Sequence, residues 1–249
     1  MKLYPIYQAI ALSAALLANA HPASAAIALD RTRAVFDAKN RSETFSISNQ
    51  NKTLPYLAQA WLEDSTGQKT DTPFAIQPPL QRVEPGEQSQ IKIQDTGAAS
   101  ALPRDRESLF YFNLREIPPV SSRPNTLQIA LQTRIKLFYR PSALAFKEGG
   151  RDIPQSKLTL RKEGDRFQLH NPTGYYVTIV EAAAGINRPA FSDFKPVMIA
   201  PQSSQPLTLR PVAAGSHPVL TYINDYGGRP KLIFSCTGQQ CAVSAVKAG

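Results

Sequence analysis

Histidine is scarce in this chain, with 3 in 249 residues, and beyond residue 25 only His170 and His217 remain. Nucleophilic catalysis by serine or cysteine needs a base within reach and a third group to orient it. His170 stands before Asn171-Pro172, His217 before Pro218, and the chain has no Gly-x-Ser-x-Gly elbow. Each histidine therefore reads as structural or solvated. Cysteine is scarcer, at 2. With no histidine or third cysteine near them, Cys236 and Cys241 fall short of the ligand set that zinc requires, so no metal is expected. Phosphate-cradling loops are missing too, since Gly149-Gly150 and Gly227-Gly228 lack both the spacing and the lysine. Carboxylates are scattered, and nothing favours a glycosidase pair. An enzyme is not expected, nor a cofactor.

Long apolar runs are also absent. The run from Ala9 to Leu17 follows Lys2 and precedes Ala23-Ser24-Ala25, the order of a secretory signal. It is shorter than the roughly 20 residues that span a bilayer. Cleavage after Ala25 is expected, giving a soluble mature chain that begins at Ala26 outside the cytoplasm. In an oxidising compartment Cys236 and Cys241 are expected to form a disulfide across the turn Thr237-Gly-Gln-Gln240. Lys and Arg exceed Asp and Glu by 28 to 19, a net +9, which favours acidic partners. No basic run with interleaved aromatics tracks a phosphate backbone, so nucleic acid is not expected.

What the chain does have is a succession of strand-like runs rich in Val, Ile, Phe, Tyr and Thr, punctuated by Pro, Gly, Asn and Asp. In the first half they fall near Ala28 to Phe36, Thr44 to Ser48, Tyr56 to Leu62, Phe74 to Gln77, Gln88 to Gln94, Ser108 to Leu114 and Leu127 to Tyr139. Seven strands suit an immunoglobulin-like sandwich. Glu84-Pro85-Gly86 and the Pro-Pro pairs at 78/79 and 118/119 mark turns or strand ends. The pattern lapses after Arg140-Pro141. It resumes near Leu158 to Leu160, Phe167 to His170, Tyr176 to Ala182, Val197 to Ile199, Pro206 to Leu209, Val219 to Ile223, Leu232 to Cys236 and Cys241 to Ala245. The expected organisation is a signal at residues 1–25, one all-β immunoglobulin-like sandwich at 26–141 and a second at 142–249.

One run is longer than the rest. From Thr126 to Arg140 the residues alternate, with Leu127, Ile129, Leu131, Thr133, Ile135, Leu137 and Tyr139 on one face. The opposite face carries Gln128, Ala130, Gln132, Arg134, Lys136, Phe138 and Arg140. Strands usually run about 5 or 6 residues, so a strand of this length is expected to project past its neighbours as an edge or to serve a second purpose. Alternation alone favours a half-buried last strand of the first sandwich.

Several stretches resemble the periplasmic pilus chaperones. They are Leu29-Asp-Arg-Thr-Arg-Ala-Val-Phe36, Leu54-Pro-Tyr-Leu-Ala-Gln-Ala-Trp61, Asp105-Arg-Glu-Ser-Leu-Phe-Tyr-Phe-Asn-Leu-Arg-Glu-Ile-Pro-Pro119, Ile135-Lys-Leu-Phe-Tyr-Arg-Pro141 and Tyr222-Ile-Asn-Asp-Tyr-Gly-Gly-Arg-Pro230. The resemblance runs across essentially the whole chain beyond the signal. It implies two immunoglobulin-like sandwiches set as a boomerang around a cleft, in the periplasm. It also implies a function: binding, folding and capping pilus subunits that lack their last strand, by strand addition of the chaperone–pilin kind, then delivering them to an outer-membrane usher.

By the same resemblance, Arg33 and Lys136 anchor the subunit's C-terminal carboxylate, and Leu127, Ile129 and Leu131 are the donor residues. Glu107, Arg140 and Asp225 form an ionic link between the domains. The short loop Pro118 to Asn125 places the chain in the short-loop subtype. An empty molecule capping its own donor run by homodimerising fits the same picture. The rival readings are an exported pilus subunit, which would lack a strand of its own and self-assemble, and a hydrolase on a β-sandwich, for which no site constellation is legible.

Overall fold

The computed structural model describes residues 25–146 and 153–249, so the expected signal, up to residue 24, and Gly149-Gly150 lie outside the described residues. The run read as Ala28 to Phe36 is two strands, β1 (Ile27–Leu29) and β2 (Arg33–Asp37), because the chain changes sheet between them. β1 pairs antiparallel with β3 (Ser42–Asn49), whereas β2 pairs parallel with β10 (Gln132–Arg140). Arg31 holds the crossing. Its guanidinium lies 2.9 Å from both Asp30 and Glu43 and 4.5 Å from the centre of the Phe45 ring.

The remaining strands of this half are β4 (Tyr56–Glu63), β5 (Lys69–Thr70), β6 (Phe74–Gln77), β7 (Leu80–Val83), β8 (Gln88–Asp95) and β9 (Ser108–Ile117). One sheet has the order β1-β3-β8-β6 and the other β2-β10-β9-β4-β5, with β7 also on β4. The turn at Glu84-Pro85-Gly86 carries the chain between sheets, and Gly86 takes φ 73°, a value a β-carbon disfavours. Phe36, Phe45, Phe74, Ile91, Phe112 and Leu137 fill the space between the sheets and are essentially inaccessible. Burying each such side chain contributes about 1.5–3 kcal/mol.

The second half forms one antiparallel sheet of eight strands. These are β11 (Thr159–Glu163), β12 (Arg166–Asn171), β13 (Val177–Ala183), β14 (Val197–Ile199), β15 (Ser203–Pro206), β16 (Val219–Tyr222), β17 (Lys231–Thr237) and β18 (Gln240–Lys247). Their order is β14-β13-β16-β17-β18-β11-β12-β15, and the sheet encloses its own core of Leu160, Phe167, Ile179, Leu220, Leu232 and Phe234. The strand read at Pro206 to Leu209 lies earlier, at β15. Its regular ladder stops at Pro206, although Leu207 N–H still donates to Phe167 C=O at 2.8 Å and both Leu207 and Leu209 are buried.

Among the described residues the only α-helix is α1 (Pro211–Ala214). Cys236 and Cys241 face each other across the β17–β18 pair and form the expected disulfide. The chain is all-β with two sandwich-like halves, as its strand pattern indicates.

The overlong strand is shorter than its alternation suggests. β10 has 9 residues and starts at Gln132, so Leu127, Ile129 and Leu131 precede it outside any ladder. Its pairing with β9 begins at Gln132 opposite Arg115, and beyond Ile117 the backbone of β9 runs into Pro118-Pro119, which offers no N–H. Nor is β10 an edge throughout. β2 covers it from Lys136 to Arg140, which leaves only Gln132 to Ile135 with a neighbour on one side.

Candidate functional site

The two faces of β10 do different work. Ile135, Leu137 and Tyr139 enter the first core. Lys136, Phe138 and Arg140 point the other way, and each meets the second half of the molecule.

Arg140 is the deepest of the three, with its side chain 7% exposed. Its Nε donates to Glu107 Oε1 at 2.8 Å, while Nη1 and Nη2 donate to Asp225 Oδ2 and Oδ1 at 2.7 and 3.2 Å. Glu107 Oε2 accepts the Tyr176 N–H at 2.8 Å, and the Glu107 N–H donates to Gly174 C=O at 2.8 Å. Glu107, Arg140 and Asp225 thus form one network across the junction. Burial works against the Arg140 charge, but the bonds to Asp225 and Glu107 outweigh it and hold the guanidinium above its ordinary pKa. The Phe146 and Tyr175 rings stack 5.5 Å apart and lie 4.8 and 5.0 Å from the same guanidinium. Phe138 stacks on Tyr176 at 5.5 Å.

Lys136 and Arg33 are register partners in the parallel β10–β2 pair, so their side chains leave neighbouring strands on one face, about 4.8 Å apart at the backbone. Both are half-buried. Lys136 Nζ donates to Thr178 Oγ1 at 3.3 Å, and Arg33 Nη1 donates to Ile223 C=O at 3.1 Å. The buried Arg33 Nε has no hydrogen-bond partner among the described residues. Burial pushes the Arg33 pKa down, against the pull of Asp225 and Glu107. Lys136 is pushed down by burial and further by the neighbouring Arg33 charge. Two cations held close in partly dry surroundings favour an anion that can bond both.

The apolar residues before β10 stand in water. Leu127 is 84% exposed, Ile129 67% and Leu131 41%. The structure therefore brings Arg33 and Lys136 together, brings Glu107, Arg140 and Asp225 together, and sets the three apolar residues apart at the free end of β10.

Sequence reasoning missed the second-half partners Thr178, Ile223, Tyr176 and Gly174, as well as Glu116 at the end of β9. Only Phe138 carried a signal, as a large apolar residue on the polar face of an alternating run. Among the described residues no group of His, Cys, Asp and Glu is placed to hold a metal ion.

Comparison with known proteins adds three results. Residues 26–145 match the family described as "Pili and flagellar-assembly chaperone, PapD N-terminal domain", and residues 154–234 match "Pili assembly chaperone PapD, C-terminal domain". The chain is 50% identical to chaperone protein PapD of Escherichia coli over 226 residues, covering 90% of this chain and 92% of the relative. It is 45% identical over 235 residues to the probable fimbrial chaperone YfcS of Escherichia coli strain K12, covering 94% and 92%. Among solved structures, the Pseudomonas aeruginosa CupB2 chaperone is similar at 32% identity with a TM-score of 0.69, covering 84% of this chain and 100% of that one.

Proposed function

This chain belongs to the PapD family of pilus-assembly chaperones, and on that premise we propose that Arg33 and Lys136 grip a pilus subunit's C-terminal carboxylate while Leu127, Ile129 and Leu131 complete its sheet. That it is a pilus chaperone and not an enzyme follows from the family itself. The residue roles rest chiefly on one observation, the register pairing of Lys136 with Arg33 beside a buried, unpartnered Arg33 Nε.

A terminal carboxylate is an acceptor that every such client carries at the same point of its chain. Two cations that bond it fix the client's end, and fixing the end fixes the register. A one-residue slip would turn every apolar side chain to the wrong face. Each charged hydrogen bond contributes about 1.5–3 kcal/mol, as does burial of each donor side chain. Association costs several kcal/mol in return. Burial supplies the larger sum and the anchor supplies alignment. A pilin groove left open exposes core and unpaired backbone, the aggregation hazard that strand addition removes.

The Glu107–Arg140–Asp225 network holds the two halves at the angle that shapes the cleft. Export by the segment 1–25, a first domain at 26–141, a second at 142–249, handover to an outer-membrane usher, and self-capping by a second copy when empty complete the proposal. A pilus subunit would need an open groove of its own, whereas both halves here enclose their own cores.

Co-expression with a pilus subunit tests the anchor. Arg33→Ala or Lys136→Ala is expected to lower recovery of the soluble pair at least tenfold, and undiminished recovery would overturn the assignment.

A further inference from the structure

Glu116 has no part in the roles assigned so far. Phe110, Phe112 and Leu114 of β9 face the first core, and Glu116 continues that face at the strand's end, only 5% exposed. A carboxylate there needs partners, because a buried charge without them is costly. It has two from separate parts of the fold. Its Oε2 accepts the Ile27 N–H of β1 at 2.9 Å, and its Oε1 accepts the Leu131 N–H at 3.4 Å. Its own N–H donates to Leu131 C=O at 3.1 Å. One residue therefore ties the first strand of one sheet to the residue at which the chain enters β10 in the other.

The exposures on either side of that tie differ. Ile135 and Leu137, beyond it, are 6% and 0% exposed, whereas Ile129 and Leu127, before it, are 67% and 84% exposed. Leu131 lies at the point where the chaperone's own core gives way to apolar residues in water. The Glu116 backbone supplies the last bond from β9 to this segment, and its side chain takes up the Leu131 N–H.

We propose that Glu116 is a positioning residue that roots the donor segment. By holding Leu131 at both backbone groups it fixes the two peptide planes that flank Leu131, from which Ile129 and Leu127 extend. It also fixes the distance from this root to the anchor at Lys136, five residues on, at about 17 Å of extended chain. A client bound at the anchor then meets the apolar residues in one register. This rests on the proposed donor role of the segment, and it names the residue that aims it.

The test replaces Glu116 by Gln in the mature protein and measures amide hydrogen exchange of the uncomplexed chaperone, together with recovery of a co-expressed pilus subunit. An amide side chain has one acceptor oxygen and turns an NH2 towards the other N–H. Exchange at whichever of Ile27 and Leu131 faces the NH2 is expected to rise at least tenfold, while the Tyr176 amide, bonded to Glu107, keeps its protection. Client recovery falls several-fold. Glu116→Asp, with the charge but a shorter reach, restores part of both.

Unchanged exchange at both Ile27 and Leu131 overturns the inference without reference to any client. Undiminished recovery with Glu116→Gln, beside reduced recovery with Lys136→Ala, overturns the positioning role alone. Undiminished recovery with both overturns the proposed function and this inference with it.

Discussion

Lys136 and Arg33 stand opposite each other in the parallel pair of β10 and β2, and neither has a carboxylate partner among the described residues. Lys136 bonds the Thr178 hydroxyl and Arg33 the Ile223 carbonyl, both from the second half. The cleft thus holds like charges close together without an ion pair to balance them. An anion bound between them would relieve both the repulsion and the unpartnered Arg33 Nε.

A pH dependence follows from the depressed Lys136 pKa. An exposed lysine titrates at about 10.4, whereas burial and the Arg33 charge make Lys136 lose its proton at lower pH. Only the ammonium form bonds a carboxylate, so affinity is fully present below the depressed value and falls as pH rises through it. Arg33 keeps its charge across this range. Calorimetric titration with a peptide that ends as a pilin does, in a free carboxylate, should show weakening that begins below the pH expected of an ordinary lysine. Lys136→Arg is expected to abolish the trend.

Disruption of the junction network should cost stability and geometry together. Removing one partner of a buried ion pair costs about 3–5 kcal/mol. Glu107→Ala strips Arg140 of one carboxylate and the Tyr176 amide of its acceptor, so its loss in denaturant unfolding is expected to approach that range. Asp225→Ala, at a more exposed carboxylate, should cost less. Small-angle scattering should report a wider spread of interdomain angles for both variants.

Gly174 makes a separate contribution to the junction. A β-carbon there would lie 2.7 Å from the Asp105 carbonyl oxygen and 2.7 Å from Leu144 Cδ1. Gly174→Ala must push the halves apart at that point. An overpacking loss of about 1–3 kcal/mol is expected in the same unfolding assay.

The exposed apolar residues should separate stability from function. Ile129→Asp changes a mostly exposed side chain, so the unfolding free energy is expected to stay within about 0.5 kcal/mol of the parent. Recovery of a co-expressed pilin should nevertheless collapse, since the aspartate would enter an apolar groove. A stability loss matching the functional loss would contradict the donor role.

Much of this was legible in the residues because strands write their faces at period 2. Ile135, Leu137 and Tyr139 read as core and are core. What escaped the pattern was pairing. The alternation from Leu127 to Tyr139 is continuous, yet the regular ladder begins at Gln132, and beyond Arg115 β9 has only Glu116 and Ile117 left before Pro118-Pro119. The break between β1 and β2 was hidden too, because the two strands serve different sheets while their residues look alike.

Residues that meet across the junction, such as Phe138 with Tyr176 and Lys136 with Thr178, lie about 40 positions apart in the sequence, and no local period connects them. Glu116 stands in the sequence only as one residue of the stretch Asp105 to Pro119. Its burial became visible only once β1 and Leu131 were placed around it.

The most direct measurement compares two peptides with the C-terminal sequence of a pilin, one ending in a free carboxylate and one in an amide, titrated into the chaperone and into Lys136→Ala. If Arg33 and Lys136 hold a terminal carboxylate, the free acid binds at least tenfold more tightly than the amide to the parent protein, and the difference vanishes in the variant. Equal binding of acid and amide to the parent would contradict the anchor and the alignment that depends on it.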